Sequence, residues 1–182
     1  MIARVSQGVV REVKSLSAEV ATTATQLTLP WMCQLTYRWA EVEERRALAV
    51  GTALDRRQWR DAERIGVQYP ERVRLLPVTR IPTPTHPALK LVSRALGMSA
   101  KDAIGLSLGY GIFIRDSHWY SRAVVIHELV HTAQCERLGG LKAFLADYLA
   151  ELTRYGYNAM PLEREARRFE RTLVVSSTGV RP

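Results

Sequence analysis

Ala123-Val124-Val125-Ile126-His127-Glu128-Leu129-Val130-His131-Thr132-Ala133-Gln134 sets an HExxH motif inside an apolar run. Helical side chains four apart stand one above the other, so a helix here brings both imidazoles to one face and holds Glu128 beside them. That is the outline of a zinc-hydrolase site. The bare string is only moderately specific, and its flanks strengthen it. Ser117 or Ser121 can cap the helix start, Gly139-Gly140 supplies a stop, and Val125, Leu129 and Ala133 form an apolar stripe that leaves the motif face free.

A catalytic zinc takes three protein ligands and keeps one position open, so His127 and His131 need a third partner. The downstream carboxylates are Glu151, Glu163 and Glu165, with Cys135, Asp147 and Glu170 as weaker alternatives. Glu163 is the choice: it falls in the first turn of a helix opened by Pro161, and Ala166 is small enough to let that helix lie close to the motif helix. Glu165 points about two hundred degrees around the helix from Glu163, so the two cannot ligate the same ion. Cys135, four residues after His131, reads first as a small apolar core residue.

Ahead of the motif, Val5, Val9, Val13, Leu16 and Val20 space as a short amphipathic helix, followed by a Thr-rich break to Pro30. From Tyr37 to about Ile65 the pattern is again helical, and this first third reads as a brace without chemistry of its own. Residues 72–78 alternate as a short strand, with Pro77 marking an edge or an end. A proline-rich connector over 81–87 leads to a helix over 88–96, and Ser99 can cap a further turn. Leu106 to Arg115 reads as one strand-like stretch, in which Gly109 and Gly111 mark either a bulge or the close approach of a substrate backbone. Leu141–Tyr155 is a helix broken by Gly156, and Pro161 opens the last one, through Phe169.

The chain has 182 residues, 47% hydrophobic and 24% charged, a composition able to bury one core. The expectation is a single α+β domain, mostly helical, with a small antiparallel sheet ahead of the active helix: an N-terminal helical region over 1–65, a core over 66–175 and a flexible tail over 176–182. The net charge of +8 favours acidic partners, but the arginines scatter along helices and read as a solvated face. Without a helix-turn-helix, zinc-finger spacing or aromatic RNA-binding motif, nucleic acid is not the expected partner. The charges at Arg4, Arg11, Glu12, Lys14 and Glu19 break any signal-peptide core, and no apolar window spans a membrane; a cytoplasmic protein is the expectation.

With the HExxH helix and a downstream Glu163-Arg164-Glu165-Ala166, the sequence resembles zinc metallopeptidases of the gluzincin type, in which a glutamate in a Glu-x-x-Ala setting completes the site. It also resembles a family of small, uncharacterised bacterial proteins over about residues 66–169. The shared segments are Pro70-Glu71-Arg72-Val73, Leu108 to Ile114, the HELVH motif, Gly156-Tyr157 and Pro161-Leu162-Glu163. The resemblance implies a minimal zincin-like fold, with His127, His131 and Glu163 on zinc. Two departures stand out. Many gluzincins place an aspartate four residues after the ligand glutamate, where this chain has Arg167. Nineteen residues separate His131 from Glu151, a spacing familiar in thermolysin-like enzymes, which keeps Glu151 a rival.

The implied activity is zinc-dependent hydrolysis: a zinc-activated water attacks a peptide or amide bond and Glu128 acts as general base, while Tyr155, Tyr157 and His118, the candidates for an oxyanion donor, each read first as packing or surface groups. The partner is a peptide or protein substrate. The alternatives are a zinc-binding scaffold without turnover and, behind it, a basic nucleic-acid-binding protein.

Overall fold

The computed structural model describes residues 31, 33–84, 86–87 and 103–175. Expectations for 5–30, for the helix over 88–96, for the cap at Ser99 and for the tail over 176–182 lie outside them. Helix α1 covers residues 33–50, strand β1 Thr52–Ala53 and helix α2 Arg56–Ile65. Strands β2 (Arg74–Val78), β3 (Gly105–Leu108) and β4 (Gly111–Arg115) precede helices α3 (Arg122–Arg137), α4 (Leu141–Tyr155) and α5 (Pro161–Val175). The architecture is α+β and mostly helical. Among the described residues no helix is long and apolar enough to cross a membrane.

The strand order is β1-β2-β4-β3. The sheet is mixed rather than antiparallel throughout: β1 with β2 and β3 with β4 run antiparallel, but β2 and β4 run parallel. The parallel pair follows from the β3–β4 hairpin: β3 starts level with the end of β2 and runs back antiparallel to it, and β4 then returns between the two in the direction of β2. Pro77 fits because β1 pairs only with Arg74 and Leu75, so the side of β2 where Pro77 lacks an N–H faces no strand.

Two local readings are corrected. Residues 37–65 are not one helix: α1 stops where Gly51 N–H bonds Ala47 O at 2.8 Å, and α2 restarts behind a capping box made by Asp55 and Gln58. Leu106–Arg115 is not one strand but a hairpin, whose two-residue loop puts Gly109 at φ +61°, a position that penalises any side chain. The close approach expected at Gly109 and Gly111 is that of α1, whose Glu44 and Ala47 occupy the space a Cβ would need.

Strand β4 is buried on both faces, which makes it the spine of the core. Ile112 and Ile114 join Leu75 of β2, Ala62 of α2 and Val125 and Leu129 of α3. Phe113, on the other face, joins Ala40 and Ala47 of α1 in the cluster that includes Phe144, Leu152 and Met160. Helix α3 packs against β3, α2, α4 and α5, so it is covered nearly all round and held rigidly. Asp61 of α2 fastens its first turn: the carboxylate accepts from Arg122 Nε at 2.8 Å and from a terminal guanidinium nitrogen at 2.7 Å, while Arg122 also donates to Leu173 O of α5 at 2.9 Å.

Candidate metal centre

Ser121 caps α3, its side chain accepting from Val124 N–H, while Ser117 instead pairs with His118. The uninterrupted helix puts His127 and His131 on the side facing α5, with ring centroids 4.9 Å apart. From α5, Glu163 reaches between them, permitted by Ala166, which is fully buried in the helix contact. His127 Nε2 and His131 Nε2 are 3.2 Å apart. Glu163 Oε2 lies 3.4 Å from the first and Oε1 3.3 Å from the second.

These distances test the fit of an ion. A tetrahedral zinc with bonds of about 2.0–2.1 Å holds its ligand atoms about 3.3–3.4 Å from one another. The two nitrogens, and each nitrogen with one of the two carboxylate oxygens, meet that spacing, and one ligand atom from each residue lies within 4.8 Å of the others. Two imidazole nitrogens so close also need something positive between them, because two bare lone pairs repel. His127, His131 and Glu163 could therefore hold a divalent metal through two nitrogens and a carboxylate oxygen, leaving a fourth position open.

The electrostatics agree. Burial alone would lower the His127 pKa, yet Glu163, Glu128 and Glu170 together raise it to about 9. Burial alone would raise that of Glu163, yet the hydrogen bonds from both imidazoles hold it well below the usual carboxylate range. The pocket thus favours positive charge at the point where the three groups meet. Tyr148 donates to Glu163 Oε1 at 2.8 Å and Arg167 approaches Oε2 at 3.4 Å, which fixes the carboxylate from its far side.

Glu128 is 6% exposed, and burial raises its pKa while the Ser107 backbone N–H opposes the rise. Its carboxylate occupies the space where Gly105 would carry a Cβ, so only glycine at 105 leaves it in place. Outside the triangle, His127 Nδ1 lies 3.3 Å from Glu170 Oε2 and His131 Nδ1 lies 2.8 Å from Gln134 Oε1. Glu170, the residue against His127 Nδ1, stands one turn beyond Arg167 along α5.

The other candidate ligands go elsewhere. Glu151 accepts Leu162 N–H at 2.9 Å and caps α5. Glu165 is bound by Arg137 at 2.8 Å, Asp147 is exposed, and Cys135 is buried in the core, where burial pushes its thiol up to about 12. Of the oxyanion candidates, Tyr155 lies exposed beneath Arg154 and His118 bonds Ser117, whereas Tyr157 interacts with Glu163. Gly105, Tyr148 and Gln134 escaped the sequence reading. Only Gln134 carried a local signal, three residues after His131 on the same helix.

A separate cavity of about 520 Å³ is lined by Tyr37, Arg72, Tyr110 and other residues, none of them in the triangle. Its carboxylates brace the fold: Glu44 accepts Tyr110 N–H, and Glu136 accepts Gln68 N–H, Tyr69 N–H and the Tyr110 hydroxyl. The chain matches no protein-family model, no curated protein and no solved structure.

Proposed function

We propose that this chain is a zinc-dependent, metallopeptidase-like hydrolase acting on peptide or amide bonds. The observation that carries the reading is the convergence of His127, His131 and Glu163, with the two imidazole Nε2 atoms 3.2 Å apart and each within 3.4 Å of a different oxygen of the carboxylate, beside the buried Glu128. A zinc ion held there would supply Lewis-acid polarisation of a carbonyl and bring the acidity of a water molecule near neutrality.

The protein's own groups do the rest. Glu128 takes a proton from the attacking water and returns it to the leaving nitrogen, and its raised pKa makes it a stronger base for that transfer. Glu163 stays ionised between the imidazoles, with Tyr148 and Arg167 holding its orientation. Tyr148 and Tyr157 both interact with Glu163, and burial together with that carboxylate keeps the Tyr157 hydroxyl protonated. Strand β3 is one of the two outer strands of the sheet and begins beside Glu128 at Gly105. An extended peptide adding to that edge would pass its backbone close to the base.

Metal analysis of the purified protein, followed by assay of wild type and Glu128→Gln on a broad peptide library, tests the proposal. The expected result is one zinc per chain and hydrolysis that falls by about 10³-fold in the variant. Hydrolysis unchanged by the substitution removes Glu128 as the base, and a protein that binds zinc but cleaves nothing is a scaffold.

A further inference from the structure

A histidine can present either ring nitrogen to a site, and which one is bare depends on what the other nitrogen meets. At His131 the answer lies in the amide of Gln134, which is fully buried. Its Nε2 has two N–H donors and two neighbours: Leu162 O at 3.0 Å and Glu165 Oε2 at 3.0 Å. Both neighbours only accept. The first is a backbone carbonyl, and the second belongs to a carboxylate paired with Arg137 at 2.8 and 3.1 Å, which holds it ionised. The amide nitrogen therefore has one consistent placement, because a flipped amide would set its oxygen against two acceptors. Its oxygen is left facing His131 Nδ1 at 2.8 Å. An amide oxygen cannot donate, so Nδ1 must.

We propose that Gln134, locked by the Arg137–Glu165 ion pair, is a positioning residue that keeps a proton on His131 Nδ1, so that Nε2 is the nitrogen turned toward Glu163 and His127 and the one that would bind a metal. The same side chain bonds Leu162, the residue before Glu163, so one buried amide aligns a ligand from α3 with a ligand from α5. Only the consequence for zinc rests on the proposed metal centre; the tautomer is a property of the metal-free protein.

Long-range proton–nitrogen correlation spectra of the full chain, labelled with ¹⁵N-histidine and stripped of metal by a chelator, read the tautomer directly. Wild type is expected to show His131 protonated at Nδ1. Gln134→Met removes the acceptor while keeping an unbranched apolar side chain, and it is expected to shift His131 toward the Nε2–H form and to weaken zinc binding by about 10- to 100-fold. A loss of packing alone would weaken zinc binding without moving the proton from Nδ1. Wild-type His131 without a proton on Nδ1 overturns the inference, as does a Gln134→Met protein with Nδ1 still protonated and zinc affinity within threefold of wild type. If Gln134→Met does not fold, the wild-type spectrum decides. A wild type with the expected tautomer and no zinc affinity supports the role of Gln134 while defeating the metal centre; tight zinc binding with the opposite tautomer does the reverse.

Discussion

Asp61 and Glu163 are both carboxylates at 2% exposure, and both bridge helices, yet they are paired in different ways. Asp61 faces Arg122, a cation at every accessible pH, through two hydrogen bonds of 2.7 and 2.8 Å. Glu163 has one permanent cation, Arg167, at a longer 3.4 Å, and otherwise faces two imidazoles, which carry positive charge only when protonated or when sharing a cation. The first arrangement completes itself and does nothing but hold α2, α3 and α5 together. The second leaves its charge balance open to a proton or a metal. Burial of a carboxylate is common to structure and to chemistry; a partner whose charge is conditional marks the site.

That contrast breaks first at Arg122. Arg122→Ala strands Asp61 in the core and is expected to lower the unfolding free energy by about 3–5 kcal/mol in denaturant titration. A loss below about 1 kcal/mol would mean that the Asp61 pair is not the structural member of the comparison. Gly105→Ala acts on the other side. The backbone at 105 is ordinary strand, but the added Cβ must push the Glu128 carboxylate from its place. Turnover is expected to fall about 10- to 100-fold, with zinc affinity held within a few-fold, because a base moved by roughly 1 Å loses alignment without touching the ligands. Equal losses in turnover and zinc affinity would show that the substitution disturbs the whole site.

The smallest effect sharpens the contrast through pH. His127 has its pKa raised to about 9 in the metal-free fold, so its pairing stabilises the protein fully below the unfolded histidine value of about 6.5. That contribution drains away as pH rises toward 9. Thermal unfolding of the metal-free protein should show the decline across this window, and the Asp61–Arg122 pair should add nothing to it. With zinc bound the decline should be absent or reversed, since ligation needs deprotonated imidazoles. A metal-free protein equally stable at both ends would contradict the raised value.

What could be read without coordinates was local. The cap at Ser121, the stop near Gly139, the break at Gly156 and the start at Pro161 are each decided within a few residues, and together they deliver the HExxH helix and the helix that carries Glu163. The restart at Asp55 was equally local, through the Asp55–Gln58 capping box, and was passed over in favour of continuous periodicity. The remainder depended on distance in space. Whether Glu151 caps a helix or meets an ion is decided by where the turn at 156–160 lays α5, and its bond to Leu162 N–H shows the outcome. The parallel pairing of β2 with β4 depends on where the β3–β4 hairpin docks, and the role of Gly105 on a side chain more than twenty residues later.

Zinc titration of chelator-stripped protein, followed calorimetrically for wild type, Glu163→Ala and Glu151→Gln, tests the central claim most directly. Wild type should bind one zinc, Glu163→Ala should lose at least about 100-fold in affinity, and Glu151→Gln, which keeps an oxygen for Leu162 N–H, should bind like wild type. Absence of saturable binding in wild type, or a Glu163→Ala protein that binds as tightly, would contradict it.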